Sequence, residues 1–76
     1  MPWAVTTSGS VARDEHRPRR HHDEHAAWND YAVRVFSLEM DGFVQDGDEE
    51  VVSGRAWSRA YARADQRVRI RLERAP

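Results

Sequence analysis

The segment Arg67-Val-Arg-Ile-Arg-Leu-Glu73 alternates strictly between charged and aliphatic residues. Alternation with a period of two predicts a β-strand, because successive side chains of a strand point to opposite faces of a sheet. One face would carry Val68, Ile70 and Leu72, and the other would carry the charged side chains. The rest of the chain must therefore supply an apolar layer for one side of this strand. With 76 residues, it does so within one domain at most.

A second stretch with period two precedes it. Aromatic and β-branched residues alternate with other types over residues 30–38, which predicts another strand. The alternating residues are Tyr31, Val33 and Val35 against Ala32, Arg34 and Phe36. Asp41-Gly42 then predicts a tight turn, because glycine adopts the positive φ that such turns need. Phe43 and Val44 fit a short strand that pairs back through this turn.

Residues 49–65 predict an amphipathic helix instead. Asp48 can cap its first free amides, and Glu49 and Glu50 would lie in the first turn, where the helix dipole favours negative charge. We expect Trp57 and Tyr61 to be buried against the apolar face of the final strand. The apolar stripe of this helix consists of Val52, Ala56, Ala60 and Ala64 with Trp57 and Tyr61. Another face of the helix carries Arg55, Arg59 and Arg63.

These elements predict a small α+β fold. The order is β-β-α-β, and the helix packs on one face of an antiparallel sheet. Residues 1–27 form a polar N-terminal segment, and the run from Arg13 to His25 has too little apolar surface to offset its ordering entropy, which predicts a flexible tail. The domain then covers residues 28–76. Whether residues 3–6 add a strand to the sheet is left open.

Charge is segregated along the chain. Residues 35–54 contain six acidic and no basic residues, whereas residues 55–76 contain seven arginines, Asp65 and Glu73. Such a charge distribution fits a complementary partner or self-association. All twelve basic residues are arginine, which indicates a GC-rich bacterial or phage genome. There is no cysteine, no signal-peptide pattern and no apolar run of membrane-spanning length, so we expect a cytoplasmic protein.

The turn region resembles a known family. Gly42-Phe-Val-Gln-Asp-Gly47-Asp48 is similar to the Gly-Cys-x-Thr-x-Gly-Asp motif of HicB-like antitoxin domains, and the resemblance covers roughly residues 30–72. Asp41 and Phe43 depart from the family's usual Pro and Cys. The resemblance implies a strand before the motif, a helix and a strand after it, and a non-catalytic domain that blocks a small RNA-cleaving toxin. Members usually add a DNA-binding module, which this sequence does not show.

Three interaction hypotheses follow, and none is catalytic. In the first, a basic protein partner binds an apolar edge formed by Phe43 and Val44. An acidic loop beside this edge, with Asp46, Asp48, Glu49 and Glu50, attracts the partner. In the second, a basic sheet face binds nucleic acid weakly through Arg34, Arg67, Arg69 and Arg71. In the third, the chain is a homo-oligomer or assembly subunit that pairs through its sheet edge.

The histidines do not predict a metal site. His21 and His25 lie four residues apart with acidic neighbours, but they belong to a polar segment without a second ligand group. His16 and His22 lie in the same segment, and the spacing differs from the zincin motif. We also find no nucleophile–base pattern and no phosphate-binding glycine loop. The sequence therefore predicts no cofactor, no metal and no enzymatic activity.

Overall fold

The computed structural model describes residues 2–9 and 19–74, and these form one helix and a six-stranded antiparallel sheet. The predicted α+β class is confirmed. The spatial order of the strands is β2-β1-β6-β5-β3, and β4 pairs with the other end of β5. In chain order the elements are β1 (Trp3–Gly9), β2 (Arg19–His21), α1 (Glu24–Met40), β3 (Val44–Gln45), β4 (Glu50–Val52), β5 (Ala56–Arg63) and β6 (Gln66–Arg74).

Strand β6 lies in the middle of the sheet and confirms the strand predicted from strict alternation. Its Val68, Ile70 and Leu72 side chains are all buried. Strand β1 pairs along one side of it and β5 along the other, so that Val5 lies opposite Leu72 and Tyr61 lies opposite Val68. Because directly opposed residues of an antiparallel pair share a face, these side chains form one continuous apolar layer.

Helix α1 occupies the segment predicted as the first strand, so that prediction is wrong. The buried residues of α1 recur at helical spacing rather than at every second position. Val33 and Phe36, which completed the alternating pattern, are exposed. The segment has enough apolar residues to satisfy both periods, and packing against the sheet selects the helical one. Its buried residues are Ala27, Tyr31, Arg34, Val35 and Leu38.

Both ends of α1 have well-defined caps. The Asp23 carboxylate accepts a hydrogen bond from the backbone N–H of His25 at 3.1 Å, which satisfies one free amide of the first turn. At the other end, Gly42 has φ +88° and donates to the carbonyl of Glu39, while Phe43 donates to that of Leu38. This is a Schellman motif, and Phe43 and Leu38 are both buried beside it. Asp41-Gly42 therefore ends a helix instead of joining two strands.

Strands β4 and β5 replace the helix predicted over residues 49–65. Alanines spaced by four fit a strand as well as a helix, because four is also a multiple of two. Gly54, with φ +68°, lies in the turn between the two strands, and Asp48 precedes a strand and caps no helix. The predicted burial of Tyr61 is confirmed, and Trp57 is half-buried opposite Leu72. The predicted short strand at Phe43–Val44 corresponds to β3, but it pairs with β5.

Much of the predicted polar tail belongs to the sheet. Strand β1 pairs with β6 over its whole length, and β2 pairs with β1. The strand left open at residues 3–6 therefore exists, and no domain boundary separates residues 19–27 from the rest, since α1 begins at Glu24. The physical reason is the apolar side of β1, where Trp3 and Val5 are buried. The part of the predicted tail at residues 10–18 lies outside the described residues.

A buried polar chain fixes α1 to the N-terminal strands. The Arg34 guanidinium donates from Nε to Asp30 Oδ1 at 3.0 Å and from Nη1 to Thr7 Oγ1 at 2.9 Å. His21 Nε2 lies 2.9 Å from the other Asp30 oxygen. Because unpaired polar groups are costly to bury, these bonds favour one position of the helix over β1 and β2.

All three tryptophans meet at one end of the apolar layer. The ring centroids of Trp28 and Trp57 are 4.9 Å apart with edge-to-face geometry, and those of Trp3 and Trp57 are 6.1 Å apart. Aromatic contacts of this kind add to the stability given by buried area. They join β1, α1 and β5, which are distant in the sequence.

The two faces of the sheet differ. Helix α1 packs on the apolar face, mainly over β1, β2 and β6. Within residues 2–9 and 19–74, no second helix covers the opposite face, which we call the open face. Its residues on the three long strands are Ala4, Thr6 and Ser8 from β1, Arg67, Arg69, Arg71 and Glu73 from β6, and Ala56, Ser58, Ala60 and Ala62 from β5.

Candidate interaction surfaces

Phe43 and Val44, predicted as the apolar edge of a partner site, lie in different environments. Phe43 is only 4% exposed, and the Arg63 guanidinium lies 4.8 Å from its ring centroid. The prediction that Phe43 is exposed to a partner is therefore wrong, because this residue completes the helix C-cap and the core. Val44 is 70% exposed and lies opposite Ala62, on the side of the open face.

The acidic loop pairs with arginines of its own chain. Asp46 lies 4.0 Å from Arg67, and Glu50 lies 3.5 Å from Arg69. These distances join carboxylate oxygens to guanidinium nitrogens across β5, which lies between the β3–β4 edge and β6. The charge segregation seen in the sequence is thus partly neutralised by folding.

Glu49 faces the other side of the sheet. Its Oε2 atom accepts hydrogen bonds from the Tyr31 hydroxyl and from Arg59 Nε, both at 3.1 Å. Burial, together with the neighbouring Glu49 charge, raises the pKa of Tyr31 well above its ordinary value of 10.0. The hydroxyl is therefore a stable donor at neutral pH, and this cluster ties the acidic loop to α1 and β5.

An apolar groove of about 370 Å³ runs beside α1 above this cluster. Its walls come from one side of the helix, and Arg59 contributes its polar boundary. The groove exists because one helix, about 10 Å wide, cannot cover a sheet of this width. The lining residues are Trp28, Tyr31, Ala32, Val35, Phe36, Glu39 and Arg59.

The outer side of α1 carries an unexpected apolar stripe, which we call the α1 stripe. It consists of Val33, Phe36 and Met40, which are 57%, 64% and 71% exposed. Their spacing of three and four residues places them on one helical face, opposite the buried face. Sequence reasoning missed this surface because Val33 and Phe36 were assigned to a strand. The Asp23 cap followed by Glu24 was the signal that could have indicated the helix.

The arginine row of Arg67, Arg69 and Arg71 lies on the open face, and its side chains are 43–59% exposed. Arg34 does not lie beside it as predicted, since Arg34 belongs to α1 and its side chain is buried between the helix and β1. Arg71 pairs with Glu73 at 3.3 Å, and Arg69 donates to Ser58 Oγ at 3.1 Å. Of the other arginines predicted to share a helix face, Arg59 and Arg63 point towards α1, and Arg55 lies in the β4–β5 turn.

The histidine region adds no ligand cluster. His21 contacts Asp30, and His25 is exposed at the start of α1. Over residues 2–9 and 19–74, no group of three or more metal-binding side chains is present, and no helix is long and apolar enough to cross a membrane. His16 lies outside the described residues.

In comparisons with known proteins, no family model, curated protein or solved structure matches this chain. The resemblance to HicB-like antitoxin domains therefore stays a prediction. The elements that it implied have different positions here, since the segment before the motif is α1 and the segment after it is β4 and β5.

Proposed function

We propose that this chain is a non-enzymatic interaction domain that pairs with a second copy of itself through the α1 stripe. The observation that supports the proposal is the exposure of Val33, Phe36 and Met40 on one helical face, with Phe36 continuing into the groove. Contiguous exposed apolar surface on a folded domain typically marks an interaction site. A helix with one face in the core and a second apolar face outside has a surface suited to another helix.

The second copy fits this surface because of spacing and charge. Asn29, Val33, Phe36 and Met40 follow the alternating three- and four-residue spacing with which two helices pack side by side. Antiparallel pairing about a twofold axis would bring opposite helix dipoles together. It would set Val33 of each copy against Phe36 of the other, since the four positions are symmetric about a point between residues 34 and 35.

The groove enlarges this contact. The stripe alone is small compared with the roughly 800 Å² per partner of a stable interface. The adjoining groove adds Trp28 and Ala32 on the side of α1 next to Phe36. Because a twofold contact uses the same patch on both copies, each groove would receive the flank of the other helix.

Sedimentation equilibrium of the wild-type chain tests this proposal, with Phe36→Glu as the disrupting variant. We expect a concentration-dependent dimer for the wild type and a monomer for Phe36→Glu, because a buried unpaired carboxylate opposes association. Val44→Glu is the matched control, since Val44 is equally exposed but lies away from α1. A wild-type monomer at high concentration, or equal association of both variants, would contradict the proposal.

The antitoxin hypothesis is a narrower proposal within the same class of interaction proteins. It implies that the protein acts in the cytoplasm. The exposed Val44 beside the acidic loop supports it. Asp46 and Glu50 already have arginine partners, so less negative charge is available to a basic toxin than the sequence indicated. Its test is binding to a basic RNA-cleaving protein. That binding should disappear when Asp46, Asp48, Glu49 and Glu50 are changed to Asn and Gln.

A further inference from the structure

The open face has a physical character different from that of the α1 stripe. Its central strand presents the arginine row, with neighbouring side chains about 7 Å apart because outward residues alternate along a strand. The flanking outward residues of β1 and β5 are all alanine, serine or threonine. The arginine row therefore forms a charged ridge with a shallow, small-residue surface on the β1 side. On the β5 side Ala56 and Ser58 are buried, and Arg69 donates a hydrogen bond to Ser58.

We propose that the open face binds the phosphate backbone of a nucleic acid strand along the arginine row, in competition with the acidic loop of the same chain. Guanidinium groups bind phosphate oxygens through paired hydrogen bonds, and a regular row suits a regular polyanion. The small outward residues of β1 let the backbone approach the ridge closely from that side. This site is separate from the α1 stripe and does not depend on dimer formation.

The row continues beyond Arg71. Arg55 borders a recess of about 250 Å³ at the end of the open face, together with Val52, Ala56, Arg71, Glu73 and Arg74. Arg74 itself lies opposite Trp3 on the apolar side of the sheet, and its guanidinium is 5.9 Å from the Trp3 ring centroid. Ala56 is buried at this end of the face. Arg55 and Arg71 give this recess a positive charge suited to phosphate, which extends the proposed path from Arg67 to Arg55.

The existing ion pairs can exchange for a ligand. Asp46, Glu50 and Glu73 contact the row at 4.0, 3.5 and 3.3 Å, and the paired side chains are 43–69% exposed. Exposed pairs of this geometry are weak. The loop backbone stays in place, because Asp46 N–H donates to the Ala60 carbonyl at 2.8 Å and Glu49 binds Tyr31 and Arg59, so only the exposed Asp46 and Glu50 side chains need to leave the row.

The composition of the face favours a polyanion over a protein partner. Protein interfaces have an apolar centre and are depleted in charge there, whereas this face has charge at its centre. The described strands place no aromatic side chain on the face beside the row, so base stacking would not contribute. We therefore expect binding that depends on the backbone and hardly on base sequence.

Fluorescence anisotropy with a labelled oligothymidylate of about 20 nucleotides tests the proposal, at several salt concentrations. Arg67→Gln/Arg71→Gln should weaken binding about tenfold or more at low salt and flatten the slope of log K against log salt by about 1.4. Asp46→Asn/Glu50→Gln should tighten binding by about 2- to 20-fold, because it removes the competing carboxylates. The two variants thus move affinity in opposite directions.

The matched control is Arg19→Gln/Arg63→Gln, which removes the same charge from the other side of the sheet. Its affinity should change far less than that of Arg67→Gln/Arg71→Gln, with circular dichroism confirming that all variants fold. Equal losses in the two double arginine variants would show general charge attraction and overturn the proposal. So would an unchanged affinity in Asp46→Asn/Glu50→Gln, or binding of an acidic polypeptide in preference to the oligonucleotide.

Discussion

The two faces of the sheet use the same strands for different purposes. On the face under α1, β6 buries Val68, Ile70 and Leu72, whereas on the open face the residues between them are arginines. Strand β1 shows the same contrast, with Val5 buried and Thr6 on the open face. Neighbouring residues of one strand therefore contribute separately to stability and to surface charge, and substitutions can distinguish the two faces.

The largest difference is expected between adjacent residues of β6. Ile70→Ala should lower the free energy of unfolding by about 2–5 kcal/mol, because it opens a cavity in the apolar layer. Arg69→Ala should change it by less than about 1 kcal/mol, since its side chain is half-exposed and makes weak pairs. Urea denaturation followed by tryptophan fluorescence measures both values. Similar losses would show that the open face is also part of the core.

A smaller contrast is expected between two glycines. A Cβ at Gly9, where φ is +154°, would collide with the carbonyl oxygen of Arg67 across the β1–β6 pair. Gly9→Ala should therefore cost about 2–3 kcal/mol and weaken the pairing of β1. Gly47→Ala meets no neighbour within 4 Å and should cost about 1 kcal/mol, from its positive φ alone. Equal melting temperatures of the two variants would argue against β1 as an integral strand.

The link between α1 and the acidic loop should have a moderate effect. Tyr31→Phe removes the hydroxyl donor to Glu49 but leaves the Arg59 bond in place. We expect a loss of about 1 kcal/mol, because the carboxylate keeps one charged partner. Thermal melting gives this value, and Arg63→Gln tests an arginine outside this cluster. An unchanged melting temperature in Tyr31→Phe would show that the hydrogen bond from Tyr31 to Glu49 does not stabilise the fold.

The smallest expected effect is the loss of folding stability that follows ionisation of Tyr31 at alkaline pH. The pKa of Tyr31 is raised in the folded state, so its neutral form favours folding. This stability is fully present below the ordinary tyrosine pKa of 10.0 and is lost as the pH rises above it, because the unfolded chain then ionises first. In a Tyr61→Phe background, ultraviolet titration should show the remaining tyrosine ionising only above pH 10. Ionisation at its ordinary pKa would contradict the buried hydrogen bond.

Sequence reasoning succeeded where one period excluded the other. In β6, strict alternation of charged and aliphatic residues allows only a strand. In β5, alanines at intervals of four fit both a strand and a helix. Arg59 on the inner face also concealed the alternation of Trp57 and Tyr61. The charge that Arg59 brings to that face is balanced by Glu49, a contact between segments that no local pattern contains. The arginine row was predictable for the same reason as β6. The α1 stripe required the correct helix, which the Asp23 cap indicated.

Disulfide formation between single-cysteine variants tests the central claim, that α1 is the contact between two copies, most directly. The chain has no cysteine, so each variant carries one reactive site. Val33 lies near the proposed twofold axis, so in Val33→Cys dimers the two thiols would lie close together at a distance that a disulfide can bridge. Val44→Cys is the control, since Val44 is comparably exposed but lies on the open-face side of the sheet, away from α1. The account predicts rapid covalent dimer formation for Val33→Cys under mild oxidation and slow formation for Val44→Cys; equal rates, or faster formation for Val44→Cys, would contradict it.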